Sequence, residues 1–181
     1  MNERRRILLG SLGFAALLPT QVVIAADYLT IEGAQHLLFS QADHFQEAAV
    51  SLTAEQRQTI ASLAGPQPRH GSLRIWRALL AGDTLGYFFA DEVIGRQDLI
   101  TYATTIDNNG RLGSIEILSY RESHGGEIRN SSWRNQFNGR DSLETLRFGT
   151  DIKNIAGATL SCEHVTQGVR WVFALWQAAL K

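Results

Sequence analysis

The chain has 181 residues, of which 17 are Lys or Arg and 18 Asp or Glu, giving a formal charge of −1. With 44% hydrophobic residues it can bury a sizeable core, which excludes wholesale disorder. The dispersed charge gives no basic footprint for nucleic acid, and the single cysteine, Cys162, excludes an intramolecular disulfide or a cysteine-rich metal site.

The first 25 residues read as an export signal rather than as part of a fold. Arg4, Arg5 and Arg6 precede an apolar stretch from Ile7 to Leu18, Pro19 breaks it, and Val23-Ile24-Ala25 offers a small-residue cleavage site. The stretch is shorter than the roughly 20 residues a membrane span needs. The order Arg4-Arg5-Arg6-Ile7-Leu8-Leu9 is similar to a twin-arginine signal. It implies a periplasmic protein, with a retained membrane anchor as the alternative. Cleavage would leave residues 26–181 as one domain with 14 basic and 17 acidic residues.

Within that domain, Thr30 to Phe39 predicts a short helix with Ala34, Leu37 and Leu38 on one side. Asp43 to Val50 reads as a loop or edge strand. Thr53 and Gln56 have capping-box spacing and open a helix to about Leu63, before Gly65-Pro66. Gln67 to Gly71 is linker-like but short. The period then changes, and Leu73 to Leu80 and Leu85 to Ile94 predict two strands joined around Gly82-Asp83. Leu99 to Asp107 alternates, with Ile100, Tyr102, Thr104 and Ile106 on one face. Asn108-Asn109-Gly110 is a hairpin turn. Arg111 to Tyr120 returns as its partner, with Ile115 and Ile117 on one face and Leu118 and Tyr120 on the other. Ser131 to Phe137 predicts a helical turn. Leu160 to Leu180 predicts a helix whose Val165, Val169, Val172, Trp176 and Ala179 share a face. The fold class is α+β, an antiparallel sheet covered by helices, with a C-terminal helix closing the chain.

The stretch Asn154-Ile155-Ala156-Gly157-Ala158-Thr159-Leu160-Ser161 is the one most suggestive of chemistry. Gly157 and Ala158 leave the backbone bare for close approach by a ligand. Thr159 falls at the start of the last helix, where unpaired amides and the macrodipole favour a phosphate. The plainer reading is a loop-to-helix entry capped by Thr159 or Ser161. A second stretch, Tyr120-Arg121-Glu122-Ser123-His124-Gly125-Gly126-Glu127-Ile128, leaves the hairpin as a glycine-containing loop. Glu122 and His124 are its chemical groups, against plainer readings as exposed loop residues. Trp133 and Phe137 read as core anchors, and Gln136 and Arg140 as a solvated face. Cys162 and His164 stand two apart on a helix, point to different faces and do not make a nucleophile–base pair. The histidines at 36, 44, 70, 124 and 164 show no metal-ligand spacing.

Taken together, these stretches resemble the FMN-binding domain family, which includes periplasmic flavin subunits of the sodium-pumping quinone reductase and Rnf-type complexes. Gly157, Ala158, Thr159, Ser161 and Ile155 match the family's flavinylation motif, Asp-x-x-Ser-Gly-Ala-Thr followed two positions on by Ser or Thr. Lys153 stands where the family has Asp, and Ala156 where it has Ser or Thr. Glu122, Ser123 and Gly125 fit its Glu-Thr-Pro-Gly-Leu-Gly segment. Trp133-x-x-Gln136-Phe137-x-Gly139-Arg140 is similar to its Trp-x-x-Gln-Phe-x-Gly-Lys. The resemblance implies FMN joined to Thr159 through a phosphoester by a flavin transferase. It implies cofactor contacts from Gly157, Ala158, Ser161, Glu122, His124 and Gly125, with no catalytic residue. The function it implies is electron carriage between periplasmic or membrane donor and acceptor proteins. Non-covalent ligand binding and a flavin-free assembly subunit are the alternatives.

Overall fold

The computed structural model describes residues 26–66 and 73–181. The expected signal peptide and the linker-like Gln67 to Gly71 lie outside the described residues.

Six strands form one antiparallel sheet: β1 (Ala26–Asp27), β2 (His44–Glu47), β3 (Arg74–Leu80), β4 (Asp83–Ile94), β5 (Leu99–Asp107) and β6 (Glu116–Tyr120). Their spatial order is β1-β6-β5-β4-β3-β2. From β2 to β6 sequential strands are neighbours, as short hairpin connections require. The Asp107–Gly110 turn is fixed by the Asp107 carboxylate, which accepts from the backbone N–H groups of Asn109 and Arg111, both at 2.8 Å.

Beyond that turn pairing with β5 continues briefly: the Asp107 N–H donates to Arg111 O at 3.0 Å, Ile106 bridges Leu112, and the Gly113 N–H donates to Thr105 O at 2.8 Å. Leu112 also exchanges backbone hydrogen bonds with Gly139 and Arg140, both at 2.7 Å, and the regular return strand begins at Glu116. Between Thr101 and Tyr102 the β5–β6 register slips, and one extra residue of β6, Leu118, opposes no residue of its own. That bulge changes the phase of the strand. Tyr120 joins Ile115 and Ile117 on one face, and Leu118 lies on the other. Simple alternation had grouped Tyr120 with Leu118.

Both faces of the sheet are covered. On one lie α2 (Ala54–Ala64), α3 (Ser131–Arg134) and α4 (Thr159–Ala179), packed over Phe89, Val93, Ile100, Tyr102 and Ile106. The other carries the short α1 (Ile31–Leu38), whose Ala34 meets the cluster of Trp76, Phe88, Ala90, Ala103 and Leu118. The buried stripe of α1 runs through Ala34 and Gln35, whereas Leu37 is 59% exposed. At 100° per residue, Leu37 falls outside the line of Ile31, Ala34 and Leu38.

Helix α2 opens with the expected capping box, Thr53 and Gln56 each accepting from the other's backbone N–H. The Gln56 side-chain amide also donates to the Ala178 carbonyl at 2.9 Å, tying α2 to the end of α4. Helix α4 is central rather than one-sided: 12 of its 21 residues are buried. Gly168 lets it close on the sheet, since a Cβ there would stand 2.9 Å from Val93 Cγ1 and against the Tyr102 hydroxyl. Among the described residues no helix is long and apolar enough to cross a membrane.

Candidate functional site

Three walls meet at the N-terminal end of α4. The first is the turn into that helix. Gly157 holds a φ of +87°, which a residue with a Cβ adopts only with strain, and the Ala158 N–H donates back to Ile155 O at 3.0 Å. The helix then begins at Thr159, with Ala158 as its cap residue and no side-chain acceptor on its first amides. Neither Thr159 nor Ser161 serves as the cap. Both already lie inside the helix, whereas a capping side chain must reach forward from the residue before it. Thr159 Oγ1 instead accepts from Asn154 Nδ2 at 2.9 Å, and Ser161 Oγ lies 3.0 Å from the Tyr120 hydroxyl. Thr159 is exposed, so an oxygen sits in the open beside the positive end of a 21-residue helix.

The second wall is the loop after β6. The Tyr120 hydroxyl donates to the His124 carbonyl at 2.5 Å, and burial pushes its pKa above the ordinary phenol value. Gly125, at a φ of +89°, is packed under the first wall: a Cβ there would stand 2.6 Å from the Tyr120 hydroxyl and 3.1 Å from Ala158 Cβ. His124 is exposed, with Nδ1 2.9 Å from Ser123 Oγ.

The third wall, Gly95 to Asp98 at the end of β4, had no counterpart in the sequence reading. Its backbone wraps the Glu122 carboxylate. Oε1 accepts from the N–H groups of Arg96, Gln97 (2.6 Å) and Asp98 (2.9 Å). His164, one turn into α4, has Nδ1 2.7 Å from Ile94 O and 2.9 Å from Gly95 O. Two carbonyl partners require that nitrogen to carry the proton.

The walls enclose a cavity of about 400 Å³, within the usual range for ligand sites. Gly157, Ala158, Thr159, Ser161, Glu122 and His124 line it, and Gly125 lies beneath, against Ala158. Arg96 and Gln97 line it as well. No local motif announces them: they stand over 60 positions before Thr159, and only the fold brings them near.

Trp133, Gln136 and Arg140 lie outside this cavity and hold the chain leading into it. Trp133 Nε1 donates to Lys153 O at 2.8 Å, and Gln136 Oε1 accepts from Lys153 N–H at 2.7 Å. Arg140 reaches Asp151 O at 3.3 Å and Gln136 O at 2.9 Å. Gln136 and Arg140 are therefore a clamp rather than a solvated face. Trp133 and Phe137 are buried and meet edge-to-face at 5.3 Å, as expected of core anchors. The Lys153 ammonium turns back to Thr150 O at 2.8 Å. Cys162 is fully buried and its thiol is pushed up to about 11 by burial, which leaves it a poor nucleophile.

Residues 95–173 match the family model of the FMN-binding domain. Over that segment the chain is similar to the FMN-binding domain family. No curated protein matches the chain. The matched segment runs from the third wall through most of α4, so it contains all three sides of the cavity. FMN is the cofactor of this domain. The residues present fit it: the uncapped helix start can receive the phosphate, and close packing at Gly125 shapes a bare backbone floor. Arg96, Gln97, Ser123, His124 and Leu160 supply the remaining polar and apolar lining.

Proposed function

We propose that this FMN-binding protein is exported and carries its cofactor covalently, through a phosphoester on Thr159 Oγ1, as a carrier of electrons between periplasmic or membrane partners. The observation that carries the reading is the exposed Thr159 hydroxyl at the uncapped start of α4, inside the cavity of the FMN-binding domain. Asn154 occupies one lone pair of Oγ1 by donation, so its own proton is free to leave as the oxygen takes phosphorus. A flavin transferase supplies the FMN from a flavin dinucleotide: the pyrophosphate P–O bond breaks as the Thr159 O–P bond forms, and the nucleoside monophosphate leaves while a base takes the hydroxyl proton. Among the described residues lining the cavity, Glu122 is held by the amides of Arg96 to Asp98 and His124 by Ser123, which favours carriage over turnover of a separate substrate. The flavin chemistry is the cofactor's, and the protein's part is to hold it and set its potential.

The test is intact-mass measurement of the protein co-expressed with a flavin transferase, beside Thr159→Ala. An added mass of FMN minus water, lost in the variant, supports the reading. An unmodified mass in both refutes covalent loading. A second reading, FMN held without a covalent bond, is favoured by Lys153 and Ala156, which replace the acidic and hydroxyl positions of the flavinylation pattern. Flavin that leaves the protein on acid precipitation would select it.

A further inference from the structure

The Glu122 carboxylate is committed to the protein. An oxygen with two lone pairs already receives three successive backbone N–H groups, from Arg96, Gln97 and Asp98. A charged acceptor in such a nest of amides holds the loop more firmly than a neutral one. The same loop is gripped from the opposite side by His164, donating to Ile94 and Gly95. Gly95 itself has no room to spare: a Cβ there would stand 2.6 Å from Glu122 Oε1 and 3.0 Å from Ile100 Cδ1. The only loop side chains that line the cavity are Arg96 and Gln97, and both are exposed.

From this geometry we infer that Glu122 and His164 are positioning residues that hold the Gly95–Asp98 loop as a wall of the flavin site, and that Arg96 and Gln97 are the groups this wall presents to the cofactor. The inference rests on the FMN reading of the cavity, and assigns Glu122 a role through the loop rather than on the flavin. Arg96 is the cation of the cavity lining, suited to the phosphate or to negative charge on the reduced ring.

The test uses the chain prepared flavin-free, from cells without a flavin transferase. Backbone amide exchange at Arg96, Gln97 and Asp98 is measured first, then free FMN is titrated in. Glu122→Ala should speed exchange at those three amides roughly tenfold or more before any flavin is added, and weaken FMN binding by about tenfold. Glu122→Gln, which keeps an acceptor oxygen, should restore part of both. His164→Ala should move both in the same direction. Arg96→Ala should weaken FMN with exchange at 97 and 98 unchanged. If Glu122→Ala weakens FMN while exchange stays at the wild-type rate, Glu122 touches the flavin directly and the inference fails. Full FMN affinity in Arg96→Ala overturns the wall's role. Should Glu122→Ala fail to fold, Glu122→Gln and Gly95→Ala test the same brace. Wild-type protein that binds no FMN would sink the flavin reading, and the exchange rates would still decide the brace.

Discussion

Gly125→Ala asks whether the second wall is pressed against the first as tightly as the geometry shows. Two costs add at this position. The φ of +89° lies in the left-handed region, where an L-residue with a Cβ loses roughly 1–2 kcal/mol. The new methyl would also stand 2.6 Å from the Tyr120 hydroxyl, 3.1 Å from Ala158 Cβ and 3.2 Å from Ala158 Cα. The Ala158 contact is partly backbone and Tyr120 is tied to His124 O and Ser161, so neither side yields cheaply. Overpacking of this kind costs about 1–3 kcal/mol, for a sum of about 2–5 kcal/mol. Gly157→Ala is the matched control. Its φ of +87° is nearly the same, but a Cβ there meets nothing within 4 Å, so only the backbone part remains. Urea unfolding of the two variants, with the slope checked for constancy, isolates the packing part as their difference. The expected difference is about 1–3 kcal/mol. Equal losses, within about 0.5 kcal/mol, would refute the argument that the walls are in tight contact.

Trp133→Phe keeps an aromatic ring in the core but removes the donor to Lys153 O. It should cost about 1–3 kcal/mol in urea unfolding and raise amide exchange around Lys153. Thr53→Ala removes half of the α2 capping box and should cost about 1 kcal/mol, read as a lower Tm; no change would mean that the box is not formed in solution. Cys162 gives a pH dependence whose sign is fixed. Burial raises its thiol from 9.0 to about 11, so the folded state keeps a proton that the unfolded chain releases. Its contribution is complete below pH 9 and disappears as pH rises through about 11. The urea midpoint should therefore fall between pH 8 and pH 11, and Cys162→Ala should flatten part of that fall. Tyr120, raised by its own burial, accounts for some of the remainder with the same sign.

Where the sequence was readable, it was because the determinant was local. The strand Leu99–Asp107 and its Asn108-Asn109-Gly110 turn carry period-two alternation and a turn dipeptide, and both bounds of the strand agree with the structure. The capping box at Thr53 and the start of the last helix are likewise written within a few residues. What failed was long-range. Leu112 keeps its place opposite Ile106 but turns its own backbone groups to Gly139 and Arg140, a choice made about 27 residues away. Gln136 and Arg140 are polar and unpatterned, so they read as solvated, whereas their partners are backbone groups at 151 and 153. The Gly95–Asp98 wall was missed for the same reason: its anchor, Glu122, lies 24 residues beyond Asp98 and gives no local signal there.

The bulge at Leu118 shows how a departure from regular pattern can serve the site. Without the extra residue, strict alternation from Ile117 would turn Tyr120 to the face covered by α1, away from α4. The slipped register returns it to the face of Ile115 and Ile117, beneath the start of α4. From there one hydroxyl joins two walls, donating to the carbonyl of His124 while meeting Ser161 Oγ. Ser161, which matches the last position of the flavinylation pattern, is thus buried and spoken for, whereas Thr159 two residues earlier remains exposed. Two hydroxyls in the same helical turn are in this way sorted by a kink in a distant strand. One is drawn into packing, and the other is left as the oxygen the cavity offers to a phosphate.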